Sequence, residues 1–437
     1  MQKDTLSYIC YLQQAQTEVL CRDVISLLQS PHVYRNQMTN SKEKPSIVLL
    51  FAFISAAPIN AVLYAPALPH LTHYFKITKN QSQFTVALFL FGYALSPLLF
   101  GPIANSYGRK KAAITSMAVG SLGTVFCIMS GPLEEFNFLI IGRLISGISI
   151  GATVTLSYTM INDVFEGATA RRITGYCVMS FAIAPGIANM IGGLITTYIG
   201  WLGCFVFLLM FNVIILCYLL QLPETLPHNK KLPFKIGVIL SGYYDAFRNL
   251  NVTVSGLIYG SVLAILYGLI ALLPFIAMQN LRMTSSTFGL IFFLSYLGYF
   301  FGTTLANCLS TRINSLSSVV VGLIIIFLGG GFLLIFSIFN MITTIILFSL
   351  VAIVMFGLPF VFINASILGI SCHAHDKANA SSVLTFIGIF MAFLTVTVLG
   401  YIHFNYNYTL ALSIIILSAL AILLYFKIYR KRIKTLG

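Results

Sequence analysis

The feature that most limits this chain is a run of about twenty apolar residues that recurs twelve times between residues 46 and 426. The first six runs lie near Ser46–Ala67, Phe84–Ile103, Ala112–Ser130, Phe136–Met160, Ile173–Ile199 and Trp201–Leu222. After a polar gap the others lie near Val252–Met278, Phe288–Leu309, Leu316–Ile338, Ile342–Leu368, Ser382–Ile402 and Thr409–Phe426. A hydrocarbon core roughly 30 Å thick takes about 20 apolar residues to cross as a helix. Inside lipid every backbone N–H and C=O needs a partner within the segment, which a helix provides alone. Strands of a membrane barrel alternate in polarity over roughly ten residues, whereas these runs are continuous. The sequence therefore predicts an all-α integral membrane protein of twelve spans. Composition agrees, because 8% of residues are charged where a soluble chain carries about 25%.

Charge orients the spans. The net charge of +14 could suggest nucleic acid, but 21 of the 25 Lys and Arg fall in the even-numbered loops and the two tails. The opposite loops hold only Lys76, Lys79 and Arg282, and Arg143 lies within a span. This bias places both termini in the cytoplasm. The basic charge is topogenic, no nucleic-acid partner is expected, and the tail from Lys427 to Lys434 suits anionic membrane lipid. None of the eight cysteines forms a CxxC pair, which argues against a disulfide framework or a zinc site. Cys372-His373-Ala374-His375-Asp376 offers too few ligands at suitable spacing for a metal, and neither metal nor cofactor is expected. No signal-peptide pattern is visible.

The spans fall into a 6 + 6 plan. Residues 1–45 form an N-terminal cytoplasmic extension, 46–222 the first six-helix half, 223–251 a cytoplasmic linker, 252–426 the second half and 427–437 a basic tail. Met38 opens a short charged leader, MTNSKEKPSIVLL, that runs into the first span. We expect it to be the native start, with a regulatory tail as the alternative for the residues before it.

Three segments carry chemistry. Between spans 2 and 3 stands Gly101-Pro-Ile-Ala-Asn105-Ser-Tyr-Gly108-Arg109-Lys110-Lys111, where Gly101 lets helices approach, Gly108 permits a tight turn and the cations anchor the loop. Span 4 places Arg143, Gly147 and Gly151 four residues apart, on one helix face. An arginine within a span is costly and faces the bundle interior or a cavity. Span 5 holds Ala184-Pro185-Gly-Ile-Ala-Asn189-Met-Ile-Gly192-Gly193 before Gly200-Trp201, a kinked, thin helix suited to close packing.

The first segment resembles the cytoplasmic-loop signature GxxxD(R/K)xGR(R/K) of the major facilitator superfamily. The second is similar to that family's RxxxG motif, and the third to the antiporter motif of its drug exporters. Tyr64-Ala-Pro-Ala-Leu-Pro69, Asp163-Val-Phe and Pro223-Glu-Thr-Leu226 resemble Bcr/CflA-type multidrug exporters in particular. The resemblance implies a fold of two six-helix halves and secondary transport of a small molecule by alternating access, most like multidrug or metabolite efflux. The setting it implies is a bacterial inner membrane, with the protein a monomer and protons among its partners. It assigns Arg143, Asp163, Asn105 and Arg109 to transport and coupling. Spans 1, 4, 7 and 10 would line the cavity, with Asn60, Tyr64, Ser146, Tyr259, Tyr267 and Asn364 facing it. Helix packing and gating fall to Gly101, Gly108, Gly147, Gly151, Pro185, Asn189, Gly192 and Gly193.

Three departures bear on the driving force. Asn105 stands where the family has an aspartate, so its gating charge network is weakened or rewired. The central Gly-Pro of the antiporter motif is Ala188-Asn189. Val62 occupies the place of an acid common in span 1 of proton-coupled exporters, and no Asp or Glu lies in any span. Candidate titrating groups along the pathway reduce to Asp163 and the edge histidines His70, His73 and His403. Two alternatives stay open: a proton-independent facilitator, and a non-transporting receptor or scaffold. An enzyme is not expected, because no span holds a nucleophile–base pair.

Overall fold

A computed structural model describes residues 46–436 except 228–230, 311, 372–376 and 403–404. The expectations attached to Met38, to His403 and to the His373–Asp376 segment lie outside the described residues. Eleven helical segments among the described residues are long and apolar enough to cross a membrane. They are span 1 (Ile47–Tyr74), span 2 (Lys79–Tyr107), span 3 (Arg109–Met129), span 4 (Phe136–Val164) and span 6 (Trp201–Leu220). In the second half they are span 7 (Leu250–Asn280), span 8 (Ser285–Leu309), span 9 (Ser315–Ile338), span 10 (Thr344–Ser371), span 11 (Lys377–Tyr401) and span 12 (Tyr406–Lys427). The fifth run is a helix of 32 residues, Gly167–Tyr198, with Pro185 inside it.

Local chemistry sets several boundaries. Thr78 starts span 2 with a capping box, its hydroxyl accepting from the Gln81 N–H while the Gln81 side chain accepts from the Thr78 N–H. Asn249, Thr284 and Asn314 cap spans 7, 8 and 9 through side-chain oxygens. Span 1 is longer than its apolar run implied. Its helix pauses after Val62, tightens to a 3-10 turn at Ala65–Ala67 and resumes over Leu68–Tyr74. Pro66 and Pro69 fit that pause, because each removes a backbone donor.

The linker between spans 6 and 7 carries a helix, Ile236–Arg248, inside the polar gap read from the sequence. Tyr243 and Ala246 face inward, and the Tyr243 hydroxyl donates to the Leu98 carbonyl of span 2 at 3.0 Å. That contact ties the linker to the end of the molecule that carries the Arg109 turn.

The halves repeat one device. In the first, a Cβ at Gly92 or Gly147 would overlap backbone of the facing helix, so spans 2 and 4 cross nearly backbone to backbone. In the second, Gly298 and Gly302 of span 8 lie equally close to the Ala352 and Phe356 carbonyls of span 10. Without a hydrophobic drive between helices in lipid, such close approach supplies the dispersion contact that holds a bundle. Span 2 packs on span 11 and span 5 on span 8, and these two seams join the halves.

Candidate functional site

The close crossing of spans 2 and 4 builds a buried site around a cation. With Gly147 against the Phe89 backbone, the Phe89 ring falls over the side chain one turn earlier, Arg143. The Arg143 guanidinium carbon lies 4.1 Å from the Phe89 ring centroid and 4.3 Å from that of Tyr64. Arg143 is 1% exposed. Its Nη1 donates to the Asn60 carbonyl at 2.9 Å, in the last turn before the span 1 pause, where carbonyls run short of helical partners.

Asn60 is itself fixed. Its amide donates to the Ala56 carbonyl at 2.9 Å and to Asn212 Oδ1 at 3.0 Å, and Asn212 returns a bond to Asn60 Oδ1 at 3.2 Å. The Tyr64 hydroxyl pairs with Thr85 Oγ1 at 3.1 Å. Arg143 Nε and Nη2 are buried and have no protein partner among the described residues. Each aromatic face is worth about 0.5–2 kcal/mol to the cation and the carbonyl bond about 1.5–3 kcal/mol. Insertion of the arginine costs roughly 2.5–3.5 kcal/mol, and each orphaned donor adds about 1–3 kcal/mol. The site therefore gains little stability from its charge.

The other expected cavity residues divide. Ser146 does not join this group. Its hydroxyl donates to the Gly120 carbonyl at 3.3 Å, across the tight contact of spans 3 and 4. Asn364 is buried and turns back on its own helix, donating to the Phe360 carbonyl at 2.8 Å. Tyr259 stacks near Phe362 at 4.8 Å. Tyr267 lies within electrostatic range of Arg143.

Sequence reasoning missed Tyr93 of span 2 and Tyr296 and Tyr299 of span 8. Tyr93 lies within electrostatic range of Tyr267 and Tyr259, and Tyr296 of Tyr267 and Tyr299, so phenols of both halves share one buried region. The Tyr296 hydroxyl is buried with no partner among the described residues. The i, i+3 spacing of Tyr296 and Tyr299 was an available signal, but span 8 lies outside the expected cavity set of spans 1, 4, 7 and 10.

The loop signature forms a second centre. Gly108 has φ +112°, in a region that side chains avoid, and its lack of a Cβ leaves room for Glu224. Glu224 Oε1 accepts from the Arg109 N–H at 2.8 Å and from the Leu226 N–H at 3.0 Å. It thus caps span 3 from the segment that follows span 6, a role not assigned from sequence. Arg109 Nε donates to Asp163 Oδ2 at 3.0 Å and Nη1 to Asn105 Oδ1 at 2.7 Å. Asn105 keeps a place in this network as a neutral acceptor, and Asp163 is engaged in an ion pair. A double-mutant cycle on Arg109→Gln and Asp163→Asn, read by thermal unfolding, should give a coupling of about 1 kcal/mol, the upper range for a partly exposed pair.

The opposite end is drawn together. Gly192 of span 5 lies against the Leu63 carbonyl and Gly193 against Ser285 of span 8. Asn189 is buried and donates to the Pro185 carbonyl at 3.0 Å, one turn earlier in the same continuous helix. Between the halves, His70 Nε2 pairs with Ser285 Oγ at 3.0 Å, the Ser286 N–H donates to Thr197 Oγ1 at 2.9 Å, and Gln83 donates to the Ala271 carbonyl at 2.9 Å. Lys79 Nζ sits 3.6 Å from the Tyr406 ring centroid. At the Arg109 end Gly101 faces Tyr243 and Ser382 at ordinary contact distance, and Gly151 packs on Tyr93.

This geometry has counterparts. The family model described as Major Facilitator Superfamily matches residues 48–398. An "Uncharacterized transporter" of Rickettsia bellii is 25% identical over 257 residues, 58% of this chain and 62% of that protein. The chain therefore spans less than two thirds of that relative's length. "Multidrug resistance protein D" of Escherichia coli is 22% identical over 278 residues, 62% of this chain and 67% of that protein. The partially occluded inward-open xylose transporter XylE of E. coli superposes with a TM-score of 0.67 at 13% identity, over 88% of this chain and 98% of that one, a likeness of fold. With two helical halves meeting along spans 2 and 11 and spans 5 and 8, the loop signature in place and the family model matching most of its length, this chain belongs to the Major Facilitator Superfamily.

Proposed function

We propose that the protein is a secondary transporter that exports small molecules across a bacterial cytoplasmic membrane by alternating access, with both termini in the cytoplasm. The observation that carries this reading is the set of buried aromatic and polar groups between two halves that are bonded together at one end. A rocking motion about spans 2, 5, 8 and 11 would break the His70–Ser285 and Gln83–Ala271 bonds and close the Arg109 end in their place. Resemblance to multidrug resistance proteins supports efflux as the direction.

A proton-independent cycle is the second reading. It is favoured because the one acid within a span among the described residues, Asp163 at the end of span 4, is engaged with Arg109. Flux of a broad compound panel through reconstituted proteoliposomes tests both. Accumulation against a gradient that collapses with the pH gradient supports antiport. Flux indifferent to pH supports the facilitator, and no flux of any compound removes the transport reading.

A further inference from the structure

The two donors that Arg143 leaves without a protein partner are Nε and Nη2. These N–H groups run parallel along one edge of a guanidinium, the edge that both oxygens of a carboxylate bridge in a bidentate pair. The third nitrogen, Nη1, is held by the Asn60 carbonyl, and the guanidinium carbon lies against the Tyr64 and Phe89 rings. Protein contacts thus account for two aromatic neighbours and one nitrogen of this cation, and the remaining edge is a fork without a hydrogen-bond partner among the described residues.

Among the described residues the one Asp or Glu within a span is Asp163, at the end of span 4, and it is paired with Arg109, so no acid is left over to neutralise the charge of Arg143. A neutral ligand or a water would satisfy the donors but leave a bare cation, and a cationic ligand would add repulsion. A carboxylate meets the hydrogen bonds and the charge together. Tyr267 of span 7 lies within electrostatic range of Arg143, which places the site beside the seam where Tyr93, Tyr267 and Tyr296 gather. Tyr64 closes over Arg143 from the pause in span 1. The residues just beyond that pause, Pro66 and His70, are the ones bonded to Ser285 of the other half. Parting the halves at that end would shift the segment that holds Tyr64 and with it access to the fork.

We propose that the Nε–Nη2 edge of Arg143 receives a carboxylate on the transported molecule, whose apolar body lies among the tyrosines between the halves. The proposal rests on the transport reading above and names its substrate class.

Benzoate and cinnamate, each against its neutral primary amide, are the probes. Binding to the purified full-length protein is measured by thermal shift, and flux by proteoliposomes. The acids should bind at least tenfold more tightly than the amides. Arg143→Lys keeps a charge but loses the parallel fork and should weaken the acids at least tenfold, and Arg143→Gln should abolish the preference for acid over amide. Equal binding of acid and amide, or acid binding unchanged in both variants, overturns the proposal. If neither variant folds, the wild-type comparison of acid with amide decides alone. Flux of the amides without the acids removes the carboxylate site and leaves transport standing. No flux of acid, amide or any compound of the broader panel counts against transport itself, and the proposal falls with it.

Discussion

Arg143→Met should cut flux at least tenfold while leaving the melting temperature of the purified protein at or above that of the parent. The two halves of this expectation have separate causes. Methionine fills the space between the Tyr64 and Phe89 rings with an unbranched, adaptable side chain that packs well on aromatics. It removes two aromatic contacts to a cation and one charged hydrogen bond. It also removes the cost of a buried charge and of two orphaned donors. The losses and gains are each several kcal/mol, so they nearly cancel in stability. They do not cancel in function if the guanidinium is a site, because nothing in methionine donates a hydrogen bond. A melting temperature that falls by about ten degrees or more, beyond what a 1 kcal/mol change produces, would mark Arg143 as a structural tie. Unchanged flux would remove it from the transport pathway.

The second large effect is expected at Gly192. A Cβ there would overlap the Leu63 carbonyl, and the obstacle is backbone, so no rotamer change relieves it. Overpacking a close-packed site costs about 1–3 kcal/mol and occasionally more, and Gly192→Val should lie at or beyond the top of that range. Because Leu63 precedes Tyr64, the same substitution also displaces the ring that covers Arg143. Thermal unfolding and the yield of monodisperse protein read the result. Gly331→Ala is the matched control. It is a helical glycine of span 9 where an added Cβ would meet nothing within 4 Å, and alanine there should stabilise by about 0.5–1 kcal/mol. Equal behaviour of the two variants would mean that spans 1 and 5 do not cross as closely as described.

Much of the architecture was legible in one dimension because the bilayer imposes one-dimensional rules. A run of about twenty apolar residues, a scarcity of charge and an excess of cations in alternate loops follow from the solvent, and they require no knowledge of which helix touches which. The spacing of Arg143, Gly147 and Gly151 was equally plain, because the helical period places them on one face. The structure adds what that face meets. Gly147 yields to the Phe89 backbone, and Phe89 then covers the arginine.

Other assignments depended on neighbours distant in the chain. Ser146 shares the polar character of a cavity residue, yet its direction is set by span 3, and it bonds to Gly120. Glu224 reads as a loop acid until the fold carries it beneath Gly108, far earlier in the chain, where the missing Cβ makes room for it. Tyr93, Tyr296 and Tyr299 are three of 22 tyrosines and become distinctive only when the two halves bring them together. The sequence by itself determined that the chain crosses a membrane as two sets of six helices, and that one arginine is buried among them without an acid. Only the tertiary structure decided which of that arginine's donors are spent and which are left, because hydrogen-bond partners are chosen by packing and not by order along the chain.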